Sequence, residues 1–354
     1  MNSSQVYPFM RSGGGVKLIA TAVIFLLLAG CSANPIYSTT GAVLSGYSEG
    51  EATPYVLQMS DPHMACSLGE GIDPLLYSFS RVTDAPDTTG SLLMLLAGNC
   101  MEYRAWEAEL AYLRADFEGN VPAAKDAREE AKRLNAKTAE RRLKAFNRAM
   151  AAYEFDPAAE PLECPFLFSE QDELTFLLGL LTGMQAIVND ANSGALAGIP
   201  RNIAPQAERA AICVDNEKWG GLPNSIRALV WLLLPDTQPP LSPDPWAVLD
   251  HSSELGVKKG LRASMALEAV AAETFGRPEV LAETIAQFAA SEDSVEVWDE
   301  YQLVDEVAAG VIRFSSDKHW TANYGYRTPQ SYFGKMSPKR DTDNVETMSL
   351  DDLL

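Results

Sequence analysis

From Ser91 to Phe117 the apolar residues Leu92, Leu96, Cys100, Tyr103, Trp106, Leu110, Leu113 and Phe117 recur at intervals of three and four. That spacing draws one stripe along a long helix, because residues three and four apart share a helical face whereas strand faces alternate every two. Gly119 and Asn120 end the run. Pro122 then stands where a first-turn proline is tolerated, and a second long helix is expected to reach Tyr153 through Leu143, Phe146 and Met150.

The rest of the chain repeats this pattern at shorter length. Pro157, Pro161 and Pro165 mark a loop, and Ser169 is placed to cap a helix through Leu174, Leu177, Leu178 and Leu181 to Val188. Helix-sized segments follow at 206–214, 225–234, 244–255, 259–275, 278–290 and 296–314, separated by proline or glycine. There is no Asn-Gly hairpin signal and no sustained period-two run. The expected fold is therefore all-α, a helical-repeat bundle of antiparallel hairpins of divergent tetratricopeptide-like kind.

The N-terminus constrains location. Arg11 and Lys17 precede an uncharged apolar run from Leu18 to Leu28, shorter than the roughly 20 residues that span a bilayer and matched to a secretory signal. Leu28-Ala29-Gly30-Cys31 closely resembles a bacterial lipobox, which implies cleavage before Cys31 and acylation of its thiol. The competing reading is a short anchor or buried helix. Ser32 follows the cysteine where aspartate would favour inner-membrane retention, so the outer membrane is expected. Four regions result: a signal peptide (1–30), a Ser/Thr/Gly-rich lipidated tether (31–54), a helical-repeat domain (55–330) and an acidic, disordered tail (331–354). No segment after Cys31 reads as a spanning helix; the stretch from Ala228 to Leu234 is about half long enough.

Removing residues 1–30 takes away Arg11 and Lys17 and no acid, so the formal charge of −20 becomes −22. Nucleic acid is excluded as an expected partner, and anionic lipid would not hold the body without the acyl chains. Cys66, Cys100, Cys164 and Cys213 would lie in an oxidising compartment. Three pairings are open to them, with Cys66–Cys100 and Cys164–Cys213 preferred as nearest in sequence; four buried free thiols are the alternative. No C-x-x-C spacing or histidine cluster suggests a metal.

The segments from Leu92 to Gly98 with Tyr103, from Ala123 to Tyr153, from Leu174 to Val188 and from Ala263 to Phe288 together resemble the T-component (TatT-like) family of TRAP transporter systems, over roughly residues 65–315. The resemblance implies a non-enzymatic lipoprotein that forms a trimer, docks a periplasmic solute-binding protein and offers a path to a small, partly apolar ligand.

No catalytic motif is present: there is no G-x-S-x-G, H-E-x-x-H or phosphate loop. His63, His251 and His319 read as loop, helix-end and aromatic-packing residues, and Glu102, Glu107 and Glu109 as solvated. The charge-dense stretch from Lys125 to Arg142 reads as a solvated face with pairs such as Glu129–Arg133. The segment from Trp219 to Pro223 is either a carboxylate-receptive helix start or, preferably, a tight turn over Trp219. Trp320, Tyr324 and Tyr326 are either a docking patch or an extension folded back on the body. The expected role is a membrane-anchored, non-enzymatic binding component with no cofactor beyond its lipid. The rival is an envelope-assembly scaffold without a small ligand, with an enzyme third. A cavity near Trp219 or the first long helix would favour uptake, and a solid core the scaffold.

Overall fold

The computed structural model describes residues 34–338, and within them all regular structure is helical. Cys31, the signal peptide and residues 339–354 lie outside the described residues.

Three helices open the fold: α1 (Pro35–Tyr47), α2 (Thr53–Leu57) and α3 (Pro62–Ser78). The first two replace most of the expected tether. Asn34 caps α1 by accepting from the Ile36 amide at 3.1 Å, and Pro35 presets the first turn. Around His63, where the sequence predicts a loop, helix α3 starts at Asp61, whose carboxylate accepts from the amides of His63 and Met64 at 3.0 Å each. Its internal Pro74 removes one helical hydrogen bond, and the helix packs along the long helix that follows.

The long pair follows as α4 (Asp87–Phe117) and α5 (Val121–Ala152), with Asn120 accepting from the Ala123 amide at 3.3 Å. Then come α6 (Glu170–Ser193), α7 (Ile203–Ala211), α8 (Leu222–Leu233), α9 (Pro245–Lys259), α10 (Ala263–Thr274), α11 (Pro278–Ser291) and α12 (Gln302–Tyr324). Ser169 and Asp172 cap α6 reciprocally, and Gly194, at φ 79°, ends it in the left-handed conformation that glycine adopts without strain. By length and composition α6 suffices to cross a membrane. It is nevertheless the central core helix, with Phe176, Leu177 and Leu180 fully buried.

The helices alternate in place. α4, α6, α8, α10 and α12 face inward, and α5, α7, α9 and α11 back them from outside. The first and last inner helices meet, Trp106 of α4 stacking on Phe314 of α12 at 4.5 Å, so the curve closes. Beyond α12 the chain folds back. Trp320, fully buried, is ringed by Tyr324, Tyr326 and Tyr332 and donates to the Lys335 carbonyl at 2.8 Å, while Phe333 meets Phe288 edge-on. Residues 331–338 therefore belong to the body and not to the expected tail.

Candidate functional site

Four inner helices each turn one stripe toward a shared space. From α4 the residues are Leu92, Leu96, Asn99, Glu102, Trp106 and Glu109; from α12, Leu303, Val307, Val311, Phe314 and Lys318. α6 adds Leu178, Leu181, Gln185 and Asn192, and α10 adds Ala263, Leu267, Val270 and Thr274. Between them lies a cavity of about 640 Å³, within the range that holds a small organic ligand. Along α4 it runs from Thr89 to Glu109, about 30 Å at 1.5 Å per residue.

The four stripes run in register, N-terminal residues at one end and C-terminal at the other. The N-terminal end is completed by α1–α3, where Leu44, Tyr47 and Leu75 line the cavity and reach solvent. At the C-terminal end the exposed lining residues are Asn192 and Thr274. The lining that reaches solvent is thus apolar at one end of the cavity and polar at the other. It lies along the first long helix and not beside Trp219.

Its wall carries a buried polar cluster. Arg142, 1% exposed, donates from Nη1 to Glu102 Oε1 at 2.7 Å and from Nη2 to Asn99 Oδ1 at 3.2 Å, and Asn189 bridges to Asn135 at 2.9 Å. Arg142 and Glu102 are both buried, correcting the reading of each as solvated: every charged group here has a partner of opposite sign or an amide oxygen. Nearby, Glu129 pairs with Lys132 at 2.7 Å rather than with Arg133.

At the polar end Lys318 donates to Glu273 at 2.6 Å. Burial pushes the Glu109 carboxyl above its ordinary range; Lys318 opposes that shift and Glu273 adds to it. Glu107, in contrast, pairs with Arg327 on the exposed surface. The arrangement can solvate one polar end of an otherwise apolar guest. Among the described residues nothing assembles a metal-binding group of acids, histidines or cysteines.

The cysteines lie away from this chemistry. Cys66 of α3 is joined to Cys100 of α4 with Cα atoms 5.2 Å apart, and Cys164 to Cys213 with 5.4 Å. His63 packs on Tyr103 with ring centroids 4.5 Å apart, His251 is exposed beside Glu254, and His319 bonds the Met336 carbonyl at 2.8 Å. The Trp219–Gly220–Gly221 segment is a tight turn. A Cβ on Gly221 would sit 2.6 Å from the Ser252 backbone, and the Asn224 amide is taken by Asn216 at 3.0 Å.

Fold and site together define an all-α protein with an elongated, largely apolar cavity among its inner helices. No family model, no curated protein and no solved structure matches this chain.

Proposed function

We propose that this chain is a lipid-anchored protein on the periplasmic side of a bacterial envelope membrane, the outer membrane in preference to the inner. In this reading it is a non-enzymatic, T-component-like helper of solute uptake. The anchor is the acylated Cys31, and the helices form divergent tetratricopeptide-like hairpins, each inner helix with its outer neighbour. The carrying observation is the cavity of about 640 Å³, whose lining reaches solvent through apolar residues at one end and polar ones at the other. A scaffold that only docks proteins has no use for such a space, since closing it would add packing contacts. A small, largely apolar ligand with one polar end fits its walls. Of the charged groups in its wall, Glu102 is paired with Arg142 and Glu273 with Lys318, which leaves Glu109 without a converging base or nucleophile and favours a binding surface over an acid–base centre.

Homotrimers that dock a solute-binding protein are part of the proposal. Crosslinking in intact cells followed by mass spectrometry tests it. Trimers and a solute-binding protein are the expected products. Monomers, or envelope-assembly factors with no solute-binding protein, would replace this reading with the scaffold.

A further inference from the structure

Helix α1 is inverted relative to an ordinary surface helix. At about 100° per residue, Ile36, Tyr37, Thr40, Val43, Leu44 and Tyr47 fall within an arc of about 120°. Most of that arc is open to solvent, with Ile36 69% exposed and Val43 64%, while Leu44, at 37%, and Tyr47 also reach the cavity lining. The small residues Ser38, Gly41 and Ser45 form the opposite side and face the body. Gly41 is buried so tightly that a Cβ there would lie 2.9 Å from both Phe79 and Thr83. The contact is therefore made by the face with least to bury, and the apolar face, apart from Leu44 and Tyr47 at the cavity, is left unpartnered.

Two further facts bear on what covers it. Cys31 precedes Asn34 by three residues, so its Cα lies within about 11 Å of that of Asn34 at the start of α1, at 3.3–3.6 Å per residue. No charged residue occurs between Lys17 and Glu49, in a chain whose formal charge is −20, so α1 itself brings no carboxylate to an anionic surface, and the first acids, Glu49 and Glu51, come only after its C-terminal end. A charge-free helix with tyrosines along an aliphatic stripe suits the boundary between headgroups and acyl chains.

We propose that α1 lies on the bilayer into which Cys31 is acylated, apolar stripe inward to the lipid. Leu44 and Tyr47 belong both to that stripe and to the apolar end of the cavity, so that end lies at the membrane surface and the polar end of Glu109, Glu273 and Lys318 points away from it. The inference rests on the reading that Cys31 is acylated. It gives the anchor a second role: the acyl chains supply attachment, and α1, too weak to hold alone without basic residues, sets orientation.

The test uses the full-length protein purified from bacterial membranes and reconstituted in vesicles of phosphatidylethanolamine and phosphatidylglycerol. With the four body cysteines bonded and Cys31 acylated, Val43→Cys, Ala42→Cys and Glu130→Cys each carry one free thiol for an environment-sensitive fluorophore. Nitroxide-labelled lipid is expected to quench the probe at 43 several-fold more than at 42, on the flank of α1, or at 130, on the far end of α5. Aqueous iodide should show the reverse order. Palmitate labelling of the same preparation reports the anchor independently. Acylated protein with equal lipid quenching at 43 and 130 would overturn the orientation and leave the anchor standing. A probe at 43 shielded from iodide and lipid alike would mean that a second copy covers the stripe, which also overturns it. Protein without an acyl chain overturns both.

Discussion

Arg142 sits between α4, α5 and α6 with its charge matched by Glu102. Removing one partner leaves the other buried and unpaired, so Arg142→Met should cost about 3–5 kcal/mol, while the double variant Arg142→Met/Glu102→Met should recover most of it. Urea unfolding measures both; an unchanged midpoint for the single variant would place the pair in solvent. Glu109 gives a prediction in pH. Its carboxyl is held above the ordinary range mainly by burial, so relative to a glutamine at that position the native state is not penalised below the unfolded value and loses stability as pH rises through the folded one. Glu109→Gln should accordingly stabilise the protein at neutral pH and have no effect at acid pH, read from thermal unfolding across the range. The opposite sign would mean that Lys318 outweighs burial. Neither residue was legible as buried in the sequence, because a charge on a long helix reads as solvated unless its partner is known. Arg142 finds Glu102 forty positions away, on another helix.

Helices declared themselves where local chemistry ends them. Asn120, Ser169 and Gly194 cap or terminate their helices by side-chain or backbone conformation that the residue type itself favours. α1 and α3 did not, since Ser, Thr, Gly and Pro74 lower intrinsic propensity and tertiary contact supplies what they lack. Between α5 and α6 the approach is close: a Cβ on Gly179 would lie 2.4 Å from the Ala149 Cβ. Gly179→Leu should therefore destabilise the protein by about 1–3 kcal/mol or more through overpacking, seen as a lower urea midpoint. An unchanged midpoint would mean that the pair is looser than drawn. The bonds Cys66–Cys100 and Cys164–Cys213 close loops over separations of 34 and 49 residues. By loop entropy each should contribute about 3–4 kcal/mol, so reduction should lower the melting temperature. Four thiols alkylated in protein taken without reductant would contradict the pairing.

At the scale of the whole molecule, the all-helical class follows from hydrophobic period, but the cavity does not. Leu92, Leu96 and Val307 give the same three-and-four pattern whether they meet another side chain or an open space, so a stripe in sequence cannot distinguish core from cavity wall. What separates them is the closure of α4 against α12 by Trp106 and Phe314, a contact across some two hundred residues. On the proposed reading, this space takes an apolar guest. The most direct measurement is titration with a neutral apolar fluorophore, N-phenyl-1-naphthylamine, against three proteins. These are the native chain, Val307→Trp, which narrows the cavity from a partly exposed lining position, and Phe168→Ser, which removes an apolar ring 90% exposed on the surface. Saturable, blue-shifted binding that Val307→Trp abolishes, with its melting temperature kept, and that Phe168→Ser leaves intact is the expected result. Binding unaffected by Val307→Trp would place the guest elsewhere and contradict the claim.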